Sequence, residues 1–137
     1  MIQAFEPQVN SAAMTLALIA HDGKKEEMAA FVGEHRELLA RFRLVGTGTT
    51  ARIVSEATGL DVHAFLSGPL GGDVQIAAEL LAGEVHAVLF FVEPRDVHPH
   101  DPDIQTLLRI CNLTDTPLAT NPKSSRYLLL SLAQFSD

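Results

Sequence analysis

Short, continuous apolar runs separated by stretches of helical length constrain the fold of this chain most strongly. Residues 16–20 and 87–92 are apolar at every position rather than at alternate ones. Strands that are buried on both faces have this pattern, and they are typical of parallel sheets covered by helices. Further short strands are predicted at residues 43–45, 62–66 and 117–119. The sequence therefore predicts a sheet of five strands.

The segments between the predicted strands have the features of helices. In residues 24–42, apolar side chains recur about one helical turn apart among charged neighbours, which is typical of a surface helix. Further helices are predicted at residues 49–58 and 73–82, each followed by glycine, at residues 103–113, and after Pro122. Alternating strands and helices with right-handed crossovers predict a three-layer αβα fold, Rossmann-like, with an open and mostly parallel five-stranded sheet.

Length and charge exclude several classes of protein. Ten Lys plus Arg against seventeen Asp plus Glu give a net charge of -7 with no basic run, so we expect no nucleic-acid partner. No apolar run approaches the roughly 18 residues of a membrane span, and the N-terminus lacks a signal-peptide pattern. The lone Cys111 excludes an internal disulfide. We expect a cytoplasmic protein without a membrane partner, with a loose tail at residues 1–14 and a single domain at residues 15–137.

Polar or glycine-rich residues follow every predicted strand. Ligands of open αβ sheets bind outside the carboxyl ends of the strands, so these residues are expected to meet at one place. The groups are residues 21–22, 47–50, 67–73, 93–103 and 121. The sequence therefore predicts one site built from several loops.

The segment Leu-Ser-Gly-Pro-Leu-Gly-Gly-Asp at residues 66–73 is the most informative of these loops. Its glycines allow the backbone to approach a ligand, and its amides can hold an anion. Asp73 at the start of the following predicted helix is either a carboxylate base beside that anion or only a helix cap favoured by the helix dipole. The loop thus indicates phosphate chemistry, with both roles of Asp73 open.

Two other loops also leave alternatives open. Residues 46–50, Gly-Thr-Gly-Thr-Thr, either bind phosphate or form a tight turn with a threonine N-cap, and no P-loop ending follows them. His98 and His100 lie near Asp101 and Asp103, at a spacing that matches no standard metal motif. They are a substrate-orienting histidine with carboxylate support, solvated loop residues, or metal ligands.

Four segments together resemble the methylglyoxal synthases. These segments, residues 21–25, 46–50, 67–73 and 99–103, occur in order at family-like spacing within a resemblance that covers about residues 15–122. The resemblance implies a lyase that converts dihydroxyacetone phosphate to methylglyoxal and inorganic phosphate, without metal or organic cofactor, as a bypass of lower glycolysis. It also implies a homo-oligomer, usually a hexamer.

The resemblance further implies roles for individual residues. Asp73 corresponds to the family's catalytic base and His100 to its substrate-orienting histidine, with Asp101 and Asp103 in the carboxylate segment beside it. The implied substrate- and phosphate-binding residues are His21, Asp22, Lys25, Thr47, Gly48, Thr49, Thr50, Ser67 and Gly68. No metal site is implied.

Two features depart from the family pattern. Glu93 stands where aspartate is usual, and we expect the chain to lack the C-terminal arm that in longer members carries a tyrosine and an arginine linked to the phosphate response. We therefore expect weak or absent cooperative inhibition by phosphate. The alternative function is a non-catalytic, phosphate-ligand-binding regulatory module of the same fold, but Asp73 together with His100 favours catalysis.

Overall fold

A computed structural model of the chain describes residues 14–99 and 101–134. The strands are β1 Thr15–Ala20, β2 Arg43–Gly46, β3 Val62–Ala64, β4 Ala87–Phe91 and β5 Leu118–Ala119. The helices are α1 Lys25–Glu34, α2 Arg36–Leu39, α3 Gly48–Thr58, α4 Gly72–Leu81, α5 Ile104–Thr114 and α6 Pro122–Ala133. Within the described residues the strands form one parallel sheet in the order β3-β2-β1-β4-β5, which confirms the predicted fold class.

Burial on both faces of the sheet explains the continuous apolar runs. Successive side chains of a strand point to opposite faces. Leu16 and Leu18 of β1 pack in a cluster with residues of α1, α3 and α6, whereas Ala17 and Ile19 pack in a second cluster with residues of α4 and α5. Every residue of β1 and β4 is buried. The core therefore lies in two layers, one on each side of the sheet.

The predicted helix at residues 24–42 is divided in the structure. Its backbone leaves helical geometry at His35, which has φ -112° and ψ 29° and separates α1 from α2. The imidazole Nδ1 of His35 lies 3.0 Å from the carbonyl oxygen of Phe31, so the side chain bonds to the same carbonyl as its own backbone N–H. This local bond accompanies the break between the two helices.

The predicted strand at residues 62–66 ends earlier, at Ala64. The N–H of Leu66 donates to Oε1 of Gln75 at 2.7 Å, and the carbonyl of Leu66 accepts from the N–H of Gly48 at 3.1 Å. Both backbone groups of Leu66 are therefore used outside the sheet. The same two bonds tie the glycine-rich loop to the first turns of α3 and α4.

The strand order reverses beside β1, which places a topological switch point between β1 and β4. Ligands of open αβ sheets bind at such points.

The described residues contain no helix that is long and apolar enough to cross a membrane. Residues 1–13 of the predicted tail and His100 lie outside the described residues.

Candidate active site

A cavity of about 140 Å³ lies at the carboxyl ends of the strands, where four of the predicted loops meet. Within the described residues, its walls are formed by Asp22, Lys25, Thr47, Thr49, Ser67, Gly68, Asp101 and Pro102. All of these residues except Pro102 are sequence-predicted site residues. A larger cavity of about 410 Å³ lies at the amino ends of β2 and β3, away from these loops.

Lys25 presents its ammonium group to the cavity in a defined position. Its Nζ donates to Oδ1 of Asp22 at 2.8 Å and to the carbonyl of Ala20 at 3.0 Å, and the side chain is 12% exposed. An ammonium group carries three donors, so one remains for a ligand. An anion in the cavity would therefore meet a positive charge that is oriented before binding.

The first turn of α3 supplies uncommitted backbone donors. The N–H groups of Thr49 and Thr50 lack intrahelical acceptors because the residues four positions earlier precede the helix. The helix dipole adds partial positive charge at the same end. Of the predicted phosphate-binding residues here, Thr49 lines the cavity, while Thr50 is fully buried and accepts a 3.3 Å hydrogen bond from the hydroxyl of Thr47.

Gly48 brings the threonine-rich loop against the glycine-rich loop. Its N–H is already bonded to the carbonyl of Leu66, so it is not a free donor for phosphate. A Cβ at position 48 would lie 2.9 Å from the carbonyl oxygen of Phe65, closer than side chains tolerate. Glycine is thus needed at position 48 for the two loops to pack, and its contact with phosphate stays a prediction.

The glycine-rich loop is a tight turn that leads into α4. The carbonyl of Ser67 accepts from the N–H groups of both Leu70 and Gly72. A Cβ at Gly72 would overlap the carbonyl oxygen of Leu66, so only glycine fits there. The turn brings Ser67 and Gly68 to the cavity wall. Asp73 follows five residues later, in the first turn of α4.

Asp73 is the second residue of α4 and is partly buried. Its Oδ1 accepts from the N–H of Val74 at 3.0 Å, and within the described residues its Oδ2 accepts no hydrogen bond. The side chain does not line the cavity. The predicted base is therefore next to the anion-binding loop, with one oxygen held by the helix N-terminus.

His21 joins the ends of two strands instead of facing the cavity. Its Nδ1 accepts from the N–H of Glu93 at 3.0 Å, so Nε2 carries the proton and donates to the carbonyl of Pro102 at 3.0 Å. The residue is 2% exposed. These bonds fix the orientation of His21 between the ends of β1 and β4, and its contact with phosphate stays a prediction.

Asp101 holds two backbone segments together at the cavity wall. Its Oδ1 accepts from the N–H of Asp22 at 2.9 Å, and its Oδ2 accepts from the N–H of His98 at 2.8 Å. Asp22 is paired with Lys25 and with Nδ1 of His98, at 3.1 Å. The charge of Asp22 is offset by Lys25, whereas the two donors to Asp101 are neutral backbone N–H groups, so Asp101 keeps its negative charge at the wall.

Asp103 is the N-cap of α5. Its Oδ1 accepts from the N–H of Gln105 at 2.9 Å, and its Oδ2 accepts from the hydroxyl of Thr106 at 3.2 Å. The residue is exposed and does not line the cavity. These contacts give Asp103 a structural role, and its catalytic role stays a prediction, as does that of the undescribed His100.

Glu93, the departure from the family pattern, faces its own loop. It is 8% exposed, and its Oε2 accepts from the N–H of Arg95 at 2.8 Å. This backbone hydrogen bond holds the pKa of Glu93 below its ordinary value. The carboxylate does not line the cavity.

Sequence reasoning missed Pro102 and Gln75 as site residues, and it missed the contact of His98 with Asp22. Pro102 supplies cavity wall and the acceptor for His21, Gln75 holds the glycine-rich loop, and His98 bonds to Asp22. Gln75 is a polar residue in the first turn of α4, and this position was a signal that its side chain could bond to the preceding loop. No local pattern indicates the partners of the other two, because they come from distant parts of the chain.

The fold and the cavity define an open αβ domain with a candidate ligand site at its switch point. A family model described as an MGS-like domain matches residues 27–120, and the chain belongs to this family.

Curated relatives and a solved structure are similar over most of the chain. A methylglyoxal synthase of Carboxydothermus hydrogenoformans is 55% identical over 119 residues, which are 87% of this chain and 98% of that protein. One of Thermus thermophilus is 53% identical over 114 residues, which are 83% of this chain and 90% of that protein. The crystal structure of methylglyoxal synthase from Elizabethkingia anophelis aligns with a TM-score of 0.88 and 33% identity, covering 93% of this chain and 84% of that one.

Proposed function

We propose that this protein is a methylglyoxal synthase, a lyase that converts dihydroxyacetone phosphate to methylglyoxal and inorganic phosphate. The observation that carries the proposal is the cavity at the switch point, where Lys25 and the N-terminus of α3 meet the loop that leads into Asp73. The relatives named above are synthases, which favours the lyase over the regulatory module.

The phosphate group of the substrate is bound first. Its charge is met by the ammonium group of Lys25 and by the N–H group of Thr49 at the start of α3. The hydroxyl of Ser67 supplies a further donor from the opposite wall. These donors are largely held in place by other contacts, so binding requires little rearrangement of this part of the site.

Asp73 then removes a proton from the hydroxymethyl carbon of the bound substrate. The electron pair forms a double bond to the carbonyl carbon, and the ketone oxygen becomes an oxyanion, which the predicted donor His100 stabilises. The proton must come from the hydroxymethyl carbon. Its loss leaves the phosphate on the carbon next to the enediolate, from which it can be expelled.

The enediolate next expels the phosphate group. When the carbon–oxygen bond to phosphate lies out of the enediolate plane, it overlaps the π system and breaks with its electron pair leaving on the phosphate oxygen. Lys25 and the N-terminus of α3 stabilise the departing phosphate. As the phosphate leaves, the hydroxyl group on the deprotonated carbon gives its proton to the phosphate and becomes the aldehyde. The remaining enolate takes a proton at its terminal carbon and becomes methylglyoxal, so the reaction needs no oxidant or second substrate.

Assembly and location complete the proposal. We propose a cytoplasmic homo-oligomer, a hexamer by resemblance, that binds neither nucleic acid nor membrane. An apolar stripe on and beside α4, formed by Leu70, Val74 and Leu81, is 61–68% exposed and supports contact with another copy. Light scattering of the purified protein tests the assembly, and a monomer at all concentrations would contradict it.

The activity is tested with protein that has been treated with a chelator and incubated with dihydroxyacetone phosphate. Methylglyoxal and inorganic phosphate are expected in equal amounts. Binding of the substrate without either product would favour the regulatory module. Activity that returns only on addition of a metal ion would contradict the cofactor-free reaction.

A further inference from the structure

His98 stands directly behind the cavity wall, in the loop between β4 and α5. Its Nδ1 lies 3.1 Å from Oδ2 of Asp22, and its backbone N–H donates to Oδ2 of Asp101 at 2.8 Å. Both of these carboxylates line the cavity, whereas His98 does not. Within the described residues, these hydrogen bonds thus join His98 to two residues that form the cavity wall.

Asp22 connects His98 to the phosphate-binding cation. One of its oxygens, Oδ2, faces the imidazole, and the other, Oδ1, accepts from Nζ of Lys25 at 2.8 Å. Because a carboxylate only accepts hydrogen bonds here, Nδ1 of His98 carries a proton in both charge states of the ring. The hydrogen bond is thus present whether the ring is neutral or charged, and protonation at Nε2 adds a positive charge.

The charged groups around His98 favour the imidazolium form. The hydrogen bond to Asp22 raises the pKa of His98, and Asp101 and Asp96 in its own loop act in the same direction. Nε2 of His98 lies 4.0 Å from Oδ2 of Asp96, and the only positive group in this cluster of described residues is Lys25, on the far side of Asp22. The side chain is 42% exposed, so solvent weakens these effects.

We propose that His98 is a positioning residue that orients Asp22 and Lys25 for phosphate and, when protonated, strengthens the binding of the phosphate dianion. With His98 charged, the group formed by His98, Asp22 and Lys25 has a net charge of +1. With His98 neutral, the net charge is zero. Phosphate affinity should therefore be highest below the pKa of His98 and should fall as pH rises through it. The inference rests on the proposed function only in assigning the cavity to phosphate.

Two substitutions distinguish the effect of the hydrogen bond between His98 and Asp22 from the effect of the charge on the His98 ring. His98→Asn places an amide N–H where Nδ1 stands, so it keeps the bond to Asp22 but cannot become charged. His98→Ala removes both the bond and the charge. His63→Asn is the matched control, because His63 is an exposed histidine of β3 that does not line the site cavity.

The first readout is binding of inorganic phosphate between pH 6 and pH 9, measured by calorimetry. The ratio of wild-type to His98→Asn affinity cancels the ionisation of phosphate itself. It should be about two- to fivefold at pH 6 and approach one at pH 9, a size typical of partly exposed charge pairs. His98→Ala should bind more weakly than His98→Asn throughout. A ratio that does not change with pH, or His98→Ala that binds like the wild type, would overturn the proposal.

The second readout is the titration of the His98 ring by NMR, assigned from its absence in His98→Asn. Its pKa should exceed the ordinary value of about 6.5 and return toward that value in Asp22→Asn. An unshifted pKa in the wild type would also overturn the proposal. Neither readout depends on turnover, so a failure of the lyase assay leaves this test intact. Thermal unfolding of each variant confirms that it is folded.

Discussion

The two sides of the cavity are held in different ways. On the side of β1 and β4, Asp22, Lys25, His98 and Asp101 are joined by hydrogen bonds to one another. On the side of β3 and α4, the described part of the glycine-rich loop is held by backbone bonds and by the bond that the N–H of Leu66 donates to the side chain of Gln75. The side with the proposed phosphate donors is therefore preorganised, whereas the side with the proposed base has fewer side-chain contacts.

This difference matches what the proposed reaction asks of each side. The phosphate group must be bound in one orientation from the first contact until it leaves, which favours a rigid set of donors. Asp73 acts only on the hydroxymethyl carbon, and it does not line the cavity. Its approach to the substrate depends on how the glycine-rich loop packs against the bound triose.

Asp73→Asn should give the largest difference between the effect on turnover, at one side of the cavity, and the effect on phosphate binding, at the other. Loss of a positioned base is expected to lower kcat by about 10²- to 10⁴-fold, while the affinity for inorganic phosphate stays unchanged because Lys25 and α3 are intact. Steady-state kinetics and phosphate calorimetry check both. Asp115→Asn, at the C-terminal cap of α5, is the matched control, since asparagine tolerates its positive φ of 55°. Near-normal turnover in folded Asp73→Asn would refute the assignment.

Lys25→Met should act mainly on binding. Removal of a charged donor to phosphate is expected to raise KM by about 10- to 100-fold, and kcat falls as well if the ammonium group stabilises the departing phosphate. The neighbouring Lys24, whose Nζ is paired with Glu27 at 3.2 Å, offers Lys24→Met as a control with little effect. Equal losses in both variants would show that only the overall charge matters.

Gln75→Leu tests the side-chain bond that holds the loop. Without the acceptor, the N–H of Leu66 loses its 2.7 Å partner, and kcat is expected to fall about three- to tenfold. Gln75→Glu keeps an acceptor oxygen and should retain most of the activity. If both variants are impaired equally in kinetic assays, the amide of Gln75 has a different role.

Asp103 provides the smallest expected effect. If it only caps α5, Asp103→Ala should lower the free energy of unfolding by about 1 kcal/mol, and Asp103→Asn should lower it less, with kcat unchanged in both. Denaturant unfolding and kinetics measure the two quantities. A large loss of kcat in a stable Asp103→Asn would instead support the catalytic role that the sequence predicts.

The sequence predicts the fold well where one physical pattern dominates. The apolar runs of β1 and β4 follow from burial on both faces, and the polar loops converge because parallel strands end at the same edge of the sheet. The end of β3 at Ala64 was not predictable in this way. After Ala64 the backbone groups of Leu66 bond to Gly48 and to the side chain of Gln75, which are distant contacts that no local pattern specifies.

The roles of individual site residues were harder to predict than their location. The sequence identifies His21 as a polar residue after β1, but its partners are the N–H of Glu93 and the carbonyl of Pro102, more than seventy positions away. Asp101 likewise faces the cavity while both its oxygens hold backbone groups. Such roles depend on tertiary contacts, which a residue type and its spacing do not specify.

The most direct test of the account follows the carbon-bound hydrogen itself. Dihydroxyacetone phosphate carrying deuterium on its hydroxymethyl carbon is used in single-turnover reactions with the wild type and with Asp73→Asn. We predict a primary isotope effect on phosphate release in the wild type, with one deuterium lost per phosphate, and the loss of both events together in Asp73→Asn. Phosphate release without loss of deuterium, or unchanged exchange in the variant, would contradict proton removal by Asp73.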